Sequence, residues 1–324
     1  NRFQNGLEMI LSGSYYNSEG HDRLFFREFD DPKTNNGIAE DLDYDRFNHF
    51  FGDISFRDFT LQGNYFSRKK GIPTAPYETA FNEDSFAIDD TAWADLKYER
   101  VYGDQLDVVA RVNYNYYHQQ GDYPYIWGPP DPYIVINRDK ITGQWLRSEI
   151  QLTKTLFDAH KGTVGFEYQN NFQQDQRNYD EGIVGGTNLD DRHTSQQWAV
   201  YLQDEFTILN NLTFSAGVRF DYYDTFGDTI NPRSALIYNP FEKTTFKLIY
   251  GRAFRAPTAY EQYYHDGYLT QKPNPDIKPE TIDTYELVYE QYLGKHYRGT
   301  VVGFYNTIND LIALKTDTAD DLQF

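Results

Sequence analysis

The sequence has no cysteine, few basic residues and no long apolar run, and each shortage removes a class of function. Without Cys there are no disulfides, no zinc-thiolate sites and no thiol catalysis. Lys and Arg number 30 against 49 Asp and Glu, a formal charge of −19. That balance leaves no basic stripe for nucleic acid. No apolar stretch approaches the roughly 18 residues of a membrane helix. Catalytic signatures are missing as well: there is no G-x-S-x-G, no H-E-x-x-H and no glycine-rich phosphate loop, and the seven His show no ligand spacing. The sequence therefore points away from an enzyme. No cleavable leader opens it, and Asn1 to Leu11 already reads like the strands that come after it. The chain reads as a section of something longer.

What is plentiful is aromatic: 29 Tyr and 24 Phe. A soluble core would have to find a partner for each buried phenol. A barrel in lipid has less difficulty, because aromatic rings sit in its two interfacial girdles with hydroxyls toward the headgroups.

The strongest local pattern is alternation with period two over segments of about ten residues. Leu106, Val108, Ala110, Val112, Tyr114 and Tyr116 fall on one face, against Asp107, Val109, Arg111, Asn113, Asn115 and Tyr117. Leu212 to Tyr222 and Val164 to Gln169 read the same way. The pattern predicts about thirteen strands: near 7–16, 46–56, 59–68, 91–101, 106–118, 144–155, 163–174, 195–206, 212–222, 232–238, 244–254, 281–292 and 297–308. Short connections (57–58, 102–105, 157–162, 207–211, 239–243, 294–296) alternate with long ones (17–45, 69–90, 119–143, 175–194, 223–231, 255–280). A membrane barrel with tight periplasmic turns and long external loops has that regularity. A soluble sandwich or propeller has no reason for it. The expected architecture is all-β: an antiparallel up-and-down transmembrane β-barrel, partial, with residues 1–324 one domain and part of a larger barrel.

Several stretches resemble TonB-dependent outer-membrane receptors. They are Tyr201-Leu202-Gln203-Asp204-Glu205-Phe206 with Leu212 to Asp221, Tyr250 to Thr258 followed by Glu261, and Asn274 to Thr281 followed by Tyr285-Glu286-Leu287. Their order and spacing, over about 195–310, carry the resemblance. It implies a receptor in the outer membrane of a Gram-negative bacterium, in contact with lipid and lipopolysaccharide. Such a receptor captures a small-molecule metal chelate, an iron-siderophore foremost, and imports it with energy from a TonB-type protein acting through a plug. A cobalamin receptor of the same family, and a passive porin or adhesin barrel, are the alternatives. Plug, partner-engaging box and signal peptide have no counterpart in the sequence. Family barrels have about 22 strands. Residues 315–324 do not alternate as a closing strand would, so Phe324 reads as a chance ending. Physically, Pro257 should end one strand, Pro275 and Pro279 should stiffen the loop before the next, and Arg219, Asp221 and Glu286 should face a wet lumen.

Two aromatic stretches fall in external loops and are the candidate ligand contacts. One comprises Tyr123, Tyr125, Trp127 and Tyr133, with Pro129 and Pro130 between; the other comprises Tyr260, Tyr263, Tyr264, His265 and Tyr268. Aromatic side chains offer large, rigid contact area at low entropic cost. The bland alternative is an outer girdle or loop packing. A third candidate is a Ca²⁺ site at Asp41, Asp43 and Asp45, near Asp30 and Asp31, since clustered hard oxygens suit that ion. It is no EF-hand, because Arg46 stands where Gly is needed. A solvated acidic loop, linked to lipopolysaccharide through shared cations, is its alternative.

Overall fold

The computed structural model describes residues 6–103, 106–128, 130–294 and 296–323. Strand β1 (Leu7–Ser18) is followed by a short pair, β2 (Arg23–Phe25) and β3 (Ile38–Glu40). Next come β4 (Asp45–Phe56), β5 (Phe59–Gly71), β6 (Phe86–Tyr102), β7 (Leu106–Trp127), β8 (Tyr133–Leu156) and β9 (His160–Asp180). They are followed by β10 (Thr187–Leu209), β11 (Leu212–Tyr223), β12 (Gly227–Phe241), β13 (Thr244–Arg255), β14 (Glu280–Leu293) and β15 (Tyr297–Asn309). All but β2 and β3, which pair with each other, form one antiparallel sheet of 13 strands in chain order. Its two edges are β1 and β15, and no ladder joins them among the described residues. Each of the thirteen expected strands has its counterpart, and short connections alternate with longer ones as expected. Parts of three expected features, the turns at 102–105 and 294–296 and the proline pair at 129–130, lie outside the described residues, as do residues 1–5 and Phe324.

The external connections are shorter than the sequence pattern predicts. Strands β7 and β8 stay paired up to Trp127 opposite Tyr133, within the predicted loop over 119–143. Likewise β9 and β10 pair up to Tyr179 opposite Thr187, which shortens the predicted loop over 175–194. Alternation is visible only while one face meets lipid and the other water. Above the membrane both faces are polar or covered, so the pattern fades while the backbone ladder, made of N–H and C=O groups, continues. Strand β12 also outruns the expected 232–238. Its ladder to β13 begins at Arg233, one residue past Pro232, which has no N–H to donate.

The two faces of the sheet sort by chemistry. On β10, Trp198, Val200 and Leu202 are exposed on the outer side, beside Val164 and Phe166 of β9 and Val218 of β11. The inner side carries charge. Arg219 donates to Glu167 at 2.6 and 3.1 Å and to Asp221 at 2.8 Å, and Arg147 bonds the same Glu167. This is the lumen face expected for Arg219 and Asp221.

One irregularity reshapes the inner face. Opposite β8, Gln144 pairs with Gln173 but Trp145 pairs with Asn171, so Phe172 is an extra residue on β9. The same shift appears opposite β10, between His193 and Ser195. Such a β-bulge re-aims the side chains beyond it. Asn171 and Gln174 consequently both reach Ser195, although an even strand would turn them to opposite faces.

Candidate ligand-binding site

At the level of the bulge, the inner face of β7 to β11 bounds a half-open cavity of about 560 Å³, covered on one side by the connection between β13 and β14. Its wall is a chain of amides. Gln169 Nε2 donates to Asn171 Oδ1 at 2.8 Å, Asn171 Nδ2 to Ser195 Oγ at 2.8 Å, and Ser195 Oγ to Gln174 Oε1 at 2.9 Å. Gln176 Nε2 donates to the carbonyl of Ala259 at 2.9 Å and so ties wall to roof. Trp145, Tyr117 and Tyr223 add aromatic surface.

The roof is built to stay in place. Pro257 stands just beyond the end of β13 and Pro279 just before β14, as their chemistry requires. Between them, helix α1 (Ala259–Tyr263) opens with a capping box. Thr258 Oγ1 accepts from the Glu261 amide at 3.2 Å, and Glu261 Oε2 accepts from the Thr258 amide at 2.8 Å. Arg255 grips both ends of the connection, donating to Glu280 at 2.7 Å and to Glu261 at 2.9 Å. Tyr263 stacks on His193 of β10 with centroids 3.7 Å apart.

The structure separates the aromatic candidates into five groups. Tyr260 and Tyr263 line the cavity. Tyr264 is buried above it: it stacks on Tyr260 at 4.5 Å and donates its phenol to Asp139 Oδ2 at 3.1 Å. Tyr123 and Tyr125 lie higher on β7 and pack on the β5–β6 connection, Tyr123 edge-on to Tyr77 at 5.3 Å and Tyr125 Oη donating to the Tyr77 carbonyl at 3.2 Å. Trp127 and Tyr133 cap the β7–β8 hairpin and are exposed. His265 and Tyr268 stack on each other at 4.6 Å. The amides and Trp145 carried no expectation, although the run Gln169-Asn170-Asn171-Phe172-Gln173-Gln174-Asp175-Gln176 is a visible signal in the sequence.

Burial sets the acid–base character of the upper site. Asp139 lies on β8 above the band of exposed Leu146, Ile150, Leu152 and Leu156, and burial pushes its carboxyl up to about 6 against the pull of Tyr264 and Asn178. Burial likewise pushes the Tyr264 phenol upward, and that of Tyr260 to about 12.

Asp41, Asp43 and Asp45 are not gathered. Asp43 Oδ1 accepts from Lys70 Nζ at 2.8 Å, and Asp45 takes both arms of Arg68 at 2.8 and 2.6 Å. Neighbouring cations on β5 hold the carboxylates of Asp43 and Asp45, and no group of three His, Cys, Asp or Glu among the described residues is arranged to hold a metal.

The model of the TonB dependent receptor-like β-barrel matches residues 12–324. Among curated proteins, the iron-regulated outer membrane virulence protein of Vibrio cholerae is 23% identical over 85% of this chain and 42% of its own length. The hemin receptor of Yersinia enterocolitica is 30% identical over 38% of this chain and 18% of its own. This chain thus spans less than half the length of these curated relatives. Among solved structures, a mutant of the ferric enterobactin receptor PfeA from Pseudomonas aeruginosa superposes with a TM-score of 0.67 at 15% identity, over 95% of this chain and 49% of that one. The ferric-catecholate import receptor Fiu from E. coli gives a TM-score of 0.66 at 13% identity, over 99% and 56%. The chain belongs to the TonB-dependent receptor β-barrel family of the Gram-negative outer membrane.

Proposed function

We propose that the full receptor captures a ferric chelate at the external end of this barrel and passes it inward with energy from a TonB-type partner. In that reading residues 1–324 supply barrel wall, and the plug and partner contacts belong to the rest of the parent protein. The observation that carries the reading is the cavity itself: amides on one side, aromatic rings of wall and roof on the other, and a roof clamped by Arg255. A bulky, oxygen-rich chelate meets both surfaces at once. The iron-regulated relative and the ferric-chelate receptors of the same fold support iron over cobalamin. The test is growth: a strain lacking the receptor gene, complemented with the full-length gene, regains use of a ferric siderophore as sole iron source. Rescue of vitamin dependence by cobalamin alone would replace this reading.

A further inference from the structure

We infer that the chelate this cavity admits carries no net charge and that the lining selects against anionic chelates. The inference rests on the iron-chelate reading and narrows its substrate class. In a chain with 24% charged residues, not one described side chain lining the cavity is Asp, Glu, Lys, Arg or His. The other inner-face hollows differ: one holds Glu99, Arg100, Asp107, Lys161, Glu205 and Arg233, another Asp95, Arg111, Arg147 and Glu149.

The surroundings do not supply the missing cation. The layer beneath shares Gln169, Gln197 and Tyr223 with the cavity and contains Arg147 and Arg219, but Glu167 engages both and Asp221 also holds Arg219. On the roof, Arg255 is held by Glu261 and Glu280. On the wall, His193 is bonded to Asp191 and His118 to Thr142, while Lys140 and Arg177 lie over the ring of Tyr179. The carboxylates nearby, Asp139, Asp175, Asp224 and Asp266, only add negative charge. An anion entering here would give up part of its hydration and meet no positive side chain in the lining among the described residues, within a chain of net charge −19.

What the cavity does offer is neutral hydrogen bonding in both directions. Gln176 Oε1 and Gln262 Nε2 are buried without a partner, one an acceptor and one a donor, and both residues are 2% exposed. A ligand with amide or hydroxamate groups exchanges hydrogen bonds with the amide side chains of the lining, while Trp145, Tyr117 and Tyr260 cover its apolar parts. The charge arithmetic of ferric iron separates the classes. Three singly charged hydroxamates balance the metal and leave a neutral complex, whereas three doubly charged catecholates leave a strongly anionic one.

The experiment is equilibrium dialysis of the purified full-length receptor in detergent against radio-iron complexes of a tris-hydroxamate and a tris-catecholate. The neutral complex should bind at least about tenfold tighter, the scale expected when one partner brings uncompensated charge. Gln197→Lys, and independently Gln174→Lys, should shift that ratio toward the catecholate. Equal or tighter catecholate binding by the unmodified receptor overturns the inference and leaves the iron-chelate reading standing. A ratio unmoved in both lysine variants also overturns it, because charge would then not be what the lining reads. Binding of neither complex removes the iron-chelate reading and the inference together.

Discussion

The phenol of Tyr264, at the end of helix α1, donates to Asp139 on β8 across 125 residues of sequence, and this bond pins the roof of the cavity to the barrel wall. The carboxylate is the costly member of the pair. Burial raises its pKa to about 6 from an ordinary value of 3.8. Because the folded-state value lies above the unfolded one, the native state binds more protons between the two. The stabilisation is therefore complete below about 3.8 and is lost as pH rises through about 6. Its full size is on the order of 2 to 3 kcal/mol. Hydrogen exchange of residues 256–279 in the full receptor, corrected for the intrinsic pH dependence of amide exchange, should be slower at pH near 4.5 than near 7.5. Asp139→Asn should remove most of that difference. Equal corrected exchange at both pH values in the unmodified receptor would contradict the assignment.

Ligand affinity should depend on the aromatic residues by group. Tyr260 and Tyr263 line the cavity, whereas Trp127 lies ten residues beyond the lining residue Tyr117 on β7, roughly 33 Å along the strand. Replacing Tyr260 and Tyr263 with Ala should weaken binding by about 1 to 3 kcal/mol. Replacing Trp127 and Tyr133 should leave the dissociation constant unchanged. Isothermal calorimetry with the best-binding chelate decides, and a larger loss from the hairpin-tip pair would move the site to the β7–β8 tip.

Much of the fold is legible in the sequence because a membrane wall imposes one rule on every strand. The thirteen strands, their order and their lower turns all derive from alternation between lipid and lumen. Above the membrane that rule lapses, and the hairpin extensions of β7 to β10 look like loops in the sequence. The site is half legible for the same reason. Tyr260 and Tyr263 stand out as aromatic, but Gln169, Asn171, Gln174 and Gln176 share a wall only through the bulge at Phe172, which no period of two anticipates. The three aspartates cluster in sequence, yet Lys70 and Arg68, on the next strand, decide what the carboxylates of Asp43 and Asp45 do.

Those pairs predict an acid-labile first external connection. The hydrogen bond from Lys70 holds the Asp43 carboxyl below its ordinary range, and that from Arg68 does the same for Asp45. Both folded-state values are lowered, so the stabilisation is present above the unfolded value and is lost as pH falls through the folded one. Proteolysis within 17–45 should accelerate only in strong acid in the intact receptor, and at neutral pH in Asp43→Asn or Asp45→Asn. Calcium should protect this segment little, since Asp43 and Asp45, two of its three would-be ligands, already hold cations. Strong protection by calcium at neutral pH would instead favour a metal site there.

A last expectation concerns the barrel wall, where Gly165 on β9 faces Tyr201 on β10 in register. A Cβ on Gly165 would lie 2.1 Å from the tip of the Tyr201 ring, so the glycine is the saddle across which that ring lies. An aromatic ring laid over a facing glycine is a known way to fix a bent strand pair. From that position Tyr201 Oη reaches Glu149 Oε1 at 3.0 Å and Gln151 Oε1 at 2.9 Å, and the Arg219 guanidinium sits 5.7 Å from the ring centre. Gly165→Val should push the ring out, break the phenol's bond and loosen Arg219, at a cost of roughly 1 to 2 kcal/mol. The temperature at which the full receptor loses its compact mobility on gels should fall accordingly. The decisive comparison is the double variant. With Tyr201→Ala already in place there is no ring to displace, so adding Gly165→Val should lower that temperature little further. If the two losses simply add, the glycine acts through something other than Tyr201, such as strand propensity, and the saddle is not what stabilises this pair of strands.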